Sequence, residues 1–561
     1  MISVASVCVI SVVRLNKNEL RAKISTMLRT HGFLLALIAS VVMPAVSSGQ
    51  TRPAAQTARS SSIPRLADGK PNLQGIWQVR NRAAYDLRDH HSHYGMPAGG
   101  SVIDGDDIPY LPAAAVKRAE NFRNRKQLDP LEKCYMPGVP RIMYMEHPFQ
   151  IFQTASHLAM TFEWSSVYRL LYTDGSRHAD GIDFWMGDSR GRWEGDTLVV
   201  DVRNHNDKTW FDMAGDFHSG ALHLVERYTL TDANTIDYEV TVEDPQVFAR
   251  PWKMRMPLYR QTGMKRVLEY QCQAELEEAN GAFERDQRTW YPDDPAKQRE
   301  ATAIAASMAM PPRPASLAGK TPTGQVPRRP DGKPDLTGYL QPDAGGANYG
   351  LQRHASDFLT PASRGVVVDP ADGQLPMQPW ALEERKNREK PERGYDDPTA
   401  HCFVAGVPRS MYTPSPYFFV QTPEYVVMLF ERMSWRIIPL DGRAHLPDHV
   451  RLWQGDSVGH WEGDTLVVDT TNFNGKTWLN EIGEIVSHAE RVTERITALD
   501  AQTVQYEATV TDPIVYTKPW TIAVPLKRDK QEVLEVACHE DNQDLQHLKD
   551  VRDAARRGNT R

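Results

Sequence analysis

An internal duplication constrains this chain more than any other feature. Trp193-Glu-Gly-Asp-Thr-Leu-Val-Val-Asp201 returns unchanged as Trp461-Glu-Gly-Asp-Thr-Leu-Val-Val-Asp469, an offset of 268 (461 less 193). Gly138-Val-Pro-Arg141 returns as Gly406-Val-Pro-Arg409, and Lys208-Thr-Trp210 as Lys476-Thr-Trp478. Asp68-Gly-Lys-Pro-Asn-Leu-Gln-Gly75 is matched by Asp331-Gly-Lys-Pro-Asp-Leu-Thr-Gly338. A unit this long is no solenoid turn, whose period runs to about 50 residues at most, so the pattern is a tandem domain duplication. The first domain is read as 63–290 and the second as 326–548, with 291–325 between them. That stretch begins Ala-rich, as a short helix over 295–310, and continues into the Pro- and Gly-punctuated run Pro311 to Pro327, a linker. The expectation is two separable domains.

Ahead of the repeats, residues 1–50 read as an export signal. Arg29 precedes the uncharged apolar run Gly32–Met43, and Ala45, Ser47, Ser48 and Gly49 follow. This is the basic, apolar, small-residue order of a secretory signal. The run is short of the ~20 residues that span a bilayer, so no stable membrane anchor is expected. Met27 is a better start than Met1. The expected location is the periplasm or the medium. Cysteine usage agrees: of five Cys, Cys8 precedes Met27, and the others fall two per repeat at matching places. In an exported chain this predicts the bridges Cys134–Cys272 and Cys402–Cys538, each tying the start of a strand-rich core to its last strand.

Sixty-five Lys and Arg stand against 72 Asp and Glu, so there is no cationic excess to meet nucleic-acid phosphates. The 40% hydrophobic content is that of a folded chain. Each repeat opens with loops and one short helix, from Pro112 and from Pro379, where proline suits the first turn. In the first repeat, strands are expected at about 149–155, 157–164, 166–173, 190–194, 197–203, 222–230, 235–243, 252–260 and 266–272. The gaps are mostly too short for crossover helices, so neighbours should pair antiparallel. Nine such strands close most simply into an up-and-down barrel. The fold class is therefore mainly β, a tandem pair of calycin-like (lipocalin-like) barrels by fold analogy, with a β-sandwich as the alternative.

The segment Gly187-Asp-Ser-Arg-Gly-Arg-Trp-Glu-Gly-Asp-Thr-Leu-Val-Val-Asp201 resembles a signature of a large, mostly uncharacterised group of exported bacterial proteins. The stretches Cys134–Arg141 and Cys402–Arg409 and the Lys-Thr-Trp triplets carry the same resemblance, which covers both repeats. It implies compartment and fold more than activity. The first repeat, with His218-Ser-Gly-Ala-Leu-His223, is closer to the group than the second, with Val486-Ser-His-Ala-Glu-Arg491.

Strand alternation sorts the polar candidates. Glu226 is the lone charge on the apolar face Leu222, Leu224, Tyr228, Leu230, and Glu494 repeats it between Val492 and Ile496. A carboxylate on such a face is paired or shifted in pKa. Both Glu residues are expected to point into the barrels, with an inward Arg as partner. Glu163 and Glu431 end a strand, with Arg169 and Arg436 on the next strand within reach across the hairpin. Asp188 and Asp456, following Trp185-Met-Gly and Trp453-Gln-Gly, could rim a pocket. These six carboxylates are the candidate catalytic groups. Arg169, Arg436, Trp185, Trp453, Lys208, Lys476, Trp210 and Trp478 are the candidate ligand-binding side chains, since a Trp beside a Lys suits ligand stacking. The Glu-Gly-Asp triplets at 194–196 and 462–464 read as hairpin turns.

Asp89-His-His-Ser-His93 is the most metal-like stretch, but ligands crowded into five residues are seldom enough alone, and the second repeat lacks it. No metal or cofactor is assigned. Serine-hydrolase, zinc-protease and phosphate-loop motifs are absent from the sequence. The functional expectation is an exported protein that binds a small apolar or aromatic ligand, with one barrel pocket per repeat. An acid–base enzyme (isomerase, hydratase or hydrolase) on the same carboxylates is the alternative, and a structural envelope module the third. A pocket walled by these carboxylates favours the first two, and filled barrels the third. Whether the chain is catalytic, and how it oligomerises, stay open at this point.

Overall fold

The structure is a computed structural model that describes residues 63–93, 95–105, 107–280, 324–356, 360–530, 532–540 and 542–558. The signal region, Cys8 and most of the 291–325 linker lie outside the described residues. Among the described residues, twenty strands divide evenly between the repeats. In the first, β1 (Gly75–Gln78), β3 (Phe149–Gln153), β4 (His157–Phe162), β5 (Tyr168–Tyr172), β6 (Asp188–Glu194), β7 (Thr197–Arg203), β8 (His223–Asp232), β9 (Thr235–Glu243) and β10 (Trp252–Arg260) form a barrel. β10 pairs with β1 to close it, and the short β2 (Ile103–Asp104) adds to β10.

The second repeat follows the same plan. β11 (Gly338–Pro342) lies between β13 (Tyr417–Gln421) and β20 (Trp520–Arg528). From β13 the ladder runs to β14 (Tyr425–Phe430) and β15 (Ser434–Pro439). From β20 it runs through β19 (Thr503–Thr511), β18 (Arg491–Ala498) and β17 (Thr465–Thr471) to β16 (Asp456–Glu462), with β12 (Val367–Asp369) also on β20. β15 and β16 lie side by side without a ladder, so this barrel is nearly closed. The expected tandem of β-barrels is what forms.

Two details depart from the expectation. The segment 266–272 is not a strand: Cys272 starts helix α2 (Cys272–Asn280), and the ninth stave is β1, drawn from the leading segment. Its four residues Gly-Ile-Trp-Gln are too few to show a period. And β5 pairs with β6 in parallel, not antiparallel. The connection from Thr173 to Gly187 is long enough to carry the chain back, so that β6 sets out in the same direction as β5. Helices α1 (Pro112–Arg123) and α3 (Pro379–Arg388) form where proline opens them, and α4 (Asp544–Gly558) carries the second repeat beyond 548. Among the described residues no helix is long and apolar enough to cross a membrane.

Both disulfides form, Cys134–Cys272 and Cys402–Cys538. They tie a short 3-10 turn, ahead of β3 in one repeat and β13 in the other, to the segment that follows each barrel's last strand, rather than to a strand.

The barrels are not independent. β8 alternates buried and half-buried side chains, as a one-sided strand does, whereas β3, β4, β13 and β14 are buried almost throughout. Tyr417 and Phe419 face the second barrel's interior, while Phe418, Val420, Val427, Leu429 and Trp435 join the first repeat's core. Trp435 Nε1 donates to Phe162 O at 2.9 Å, and the Tyr172 and Tyr339 hydroxyls meet at 2.7 Å.

Candidate functional site

The recurring motifs resolve first into structural contacts. Arg141 and Arg409 of the Gly-Val-Pro-Arg motifs are buried and grip Asp129 and Asp397 with two bonds each, at 2.8 to 2.9 Å. Asp196 and Asp464 sit in hairpin turns and clamp Arg65 and Arg328 of the leading segments. Gly138 and Gly406 lie at positive φ, where a Cβ would collide with Thr209 and Thr477 of the Lys-Thr-Trp triplets.

Glu226 and Glu494 do point into the barrels, and each has its arginine. Arg169 reaches Glu226 with both terminal nitrogens and donates to Ser189 Oγ, while Tyr228 and Tyr238 also donate to Glu226. Arg436 grips Glu494 in the same way, supported by Ser457, Thr470 and Tyr506. These side chains are sealed from solvent. The expected hairpin pairs, Glu163 with Arg169 and Glu431 with Arg436, do not form. Both arginines lie on the inward face of β5 or β15, while each Glu sits in the turn outside the barrel. Glu163 instead stands 3.5 Å from His147.

Trp185 and Trp453 sit where the repeats exchange arms. After β10 the first repeat sends Glu269 to the second, where it accepts from the backbone N–H groups of Trp453 and Gln454. After β20 the second repeat returns Glu535 to the N–H groups of Trp185 and Met186. Lys208 and Lys476 lie over the Trp185 and Trp453 rings at 5.6 and 5.5 Å. Trp478 is buried beneath Arg388, and Trp210 is half-buried in a bridge to Phe217. The aromatic candidates thus pack the molecule together.

Asp188 and Asp456 anchor a network absent from the sequence reading. His178 lies between Asp188 and Asp201, at 3.1 and 2.8 Å, and His445 between Asp456 and Asp469, at 3.0 and 3.2 Å. Burial lowers the His445 pKa, but hydrogen bonds to both carboxylates and their charges outweigh it, raising the imidazole to about 9. The signal was present: Asp174-Gly-x-x-His178 returns as Asp441-Gly-x-x-His445. Of the first repeat's other histidines, His218 bonds Thr209 and His223 bonds Asp201, and Arg491 takes His223's place on Asp469.

The Asp89–His93 stretch does not gather into a ligand set. Asp89 accepts from Ser101 N, and His90 Nδ1 lies 2.8 Å from Arg88 O. Among the described residues the one group of three close ligand atoms is Asp86, Asp212 and Asp216. Arg88, Arg118 and Tyr110 already occupy Asp216, a donor set that suits an ion-pair cluster better than a metal.

Open space lies between the repeats. A cavity of about 100 Å³ is bounded by Glu431, Met433 and Ser434 from the β14–β15 turn, by Val536 to Glu540 from the returning arm, and by Met136 and Val167 of the first repeat. A smaller one, about 50 Å³, is walled by Asp456, Arg436 and the outgoing arm with Glu269. The larger exists through a difference between the repeats. Tyr270 N bonds Glu163 O as Val536 N bonds Glu431 O, so the two places are equivalent. In the first repeat His147, Trp164 and Tyr270 stack there, with ring centroids 5.2 to 5.4 Å apart. In the second repeat the same positions hold Ser415, Arg432 and Val536. Burial raises the Glu431 carboxyl above its usual range, partly offset by hydrogen bonds from Leu534 N and Ser415.

No protein-family model matches the chain, and no curated protein matches it in sequence.

Proposed function

We propose that this chain is an exported protein that binds a small molecule, and that its site is the cavity between the repeats beside Glu431. The observation that carries this reading is the exchange of an aromatic plug for small or outward side chains at one of two equivalent positions. A molecule that needed only a packed interface would gain by keeping the plug in both. The sealed interiors of the barrels support a scaffold role for them, so the reading has one site per molecule rather than one per barrel. The two disulfides support export, as does the resemblance of the signature segment to exported proteins.

The cavity takes a ligand on the order of ten non-hydrogen atoms, with Phe403, Phe430, Met136 and Met433 as apolar walls. Glu431 gives the acid–base alternative its footing, because a partly buried carboxyl in the cavity wall is within reach of a bound molecule's protons. The test restores the plug. Val536→Tyr with Arg432→Trp and Ser415→His should abolish binding of fragments that shift the protein's NMR spectrum or melting temperature, while the fold is kept. Fragments that bind equally well to the plugged variant would remove this site.

A further inference from the structure

Resting on that reading, we infer that the ligand is a small organic cation, a primary amine on an apolar or aromatic body, held by Glu540, Glu431 and Glu481. The repeats differ here a second time. Glu481 stands where the first repeat has Met213, and Glu540, two residues after its cysteine, where the first has Ala274. The change that opened the space therefore coincides with two added carboxylates in its wall.

The charges around the space do not cancel them. Arg409 is committed to Asp397 through two bonds of 2.8 and 2.9 Å, with Asn348 on its third nitrogen. Arg432 is exposed. His539 donates from Nε2 to Cys134 O, and its Nδ1 stands 3.7 Å from Glu540 Oε2. Glu481 accepts from Asn348 on one oxygen. Glu540 Oε1 accepts from Met136 N, but Oε2 has no hydrogen-bond partner although the side chain is only 3% exposed. A buried carboxylate oxygen without a donor is costly, and a ligand ammonium supplies one as a charge-assisted bond. The apolar part of the lining, with Phe403, Phe430 and Met433, selects for a hydrocarbon body on that ammonium.

The experiment compares benzylamine, benzyl alcohol and benzoate, which share size and ring, on the full chain by calorimetry. Benzylamine should bind about tenfold or more tightly than benzyl alcohol, and benzoate most weakly. Glu540→Gln keeps shape and the bond from Met136 N, and should bring the amine-to-alcohol ratio close to one. Glu481→Gln, further from the unpaired oxygen, should lower the ratio less and serves as the second variant. Benzoate binding as well as benzylamine, or an amine preference unchanged in both variants, overturns the inference. If the neutral or anionic probe binds and is displaced by the restored plug, the cavity stands and only the cation fails. If no probe binds, the inference and the site fall together.

Discussion

Glu226 accepts from Arg169, Tyr228 and Tyr238 in a space closed to water, and Glu494 repeats the arrangement with Arg436 and Tyr506. Replacing the carboxylate by an amide turns an N–H group towards the guanidinium and leaves a buried positive charge uncompensated. Glu226→Gln is therefore expected to cost about 3–5 kcal/mol of stability in urea denaturation. Arg169→Met with Glu226→Leu should recover much of that loss, because a buried pair removed whole leaves no unpaired ion. A Glu226→Gln protein as stable as the parent would show that the pair is not sealed. The inward direction of both glutamates was legible from alternation alone, since each is the one charge on an apolar strand face. Their pairing with Arg169 and Arg436 was only half legible. The sequence shows an Arg on the neighbouring hairpin, but not that it turns inward while Glu163 and Glu431 stay outside. His178 and His445 escape a reading by period because they sit in loops, where no alternation marks a side chain's direction. Only the repeated Asp-Gly-x-x-His spacing could have found them.

The exchanged arms are the element on which the molecule's acid–base behaviour turns. Burial raises Glu269 to about 7 and Glu535 to about 8, with the backbone donors on the opposite repeat pulling the other way. Both folded values lie above the unfolded one of about 4.3. The folded chain therefore holds these protons where the unfolded chain has lost them. The stability they contribute is fully present below about 4.3 and is lost as pH rises to about 7 and 8, at about 1.4 kcal/mol per carboxyl for each pH unit crossed. Denaturation at a series of pH values should show this fall, and Glu535→Gln should flatten its upper part. Protection factors for hydrogen exchange at Trp185 and Met186, corrected for the intrinsic pH dependence, should fall over the same range in the parent but not in the variant. A variant that keeps the full slope would assign the effect elsewhere, with His445 the next group to test. The outgoing arm reads as a final strand in the sequence because Val267, Leu268, Tyr270 and Cys272 alternate loosely with polar residues. Much of its cover comes from the other repeat, where Arg266 bonds Ala444 O and Glu269 accepts from Trp453 N, contacts 178 and 184 residues apart in sequence, and no local pattern encodes it.

At the scale of the whole molecule, the duplication and the barrel architecture were legible because exact repeats and two-residue periods survive in the letters. The union of the barrels was written in a subtler form. Tyr417-Phe-Phe-Val420 and Tyr425-Val-Val-Met-Leu-Phe430 are apolar at every position, where a barrel strand facing solvent on one side alternates, as His223–Asp232 does. Unbroken apolar strands are buried on both faces, and a second surface has to supply the outer cover. That surface is the other repeat. The sequence-based expectation of two separable domains changes accordingly. Cleaving the chain within 311–323 should leave both halves bound to each other, with one elution volume in gel filtration and one melting transition. Either half expressed alone exposes Phe418, Val420, Leu429 and Trp435, or the partner face with Phe152 and His157, and lacks the Glu269 or Glu535 cap on its Trp loop. Each half alone should therefore aggregate or melt at least several degrees lower, and mixing them during refolding should restore the parent transition. Two halves that part on cleavage and melt as sharply alone as together would show the shared core to be dispensable. The cavity beside Glu431 would then vanish with the separation, because its walls come from both repeats, so the same cleaved sample, assayed for benzylamine, ties the assembly of the molecule to the site it forms.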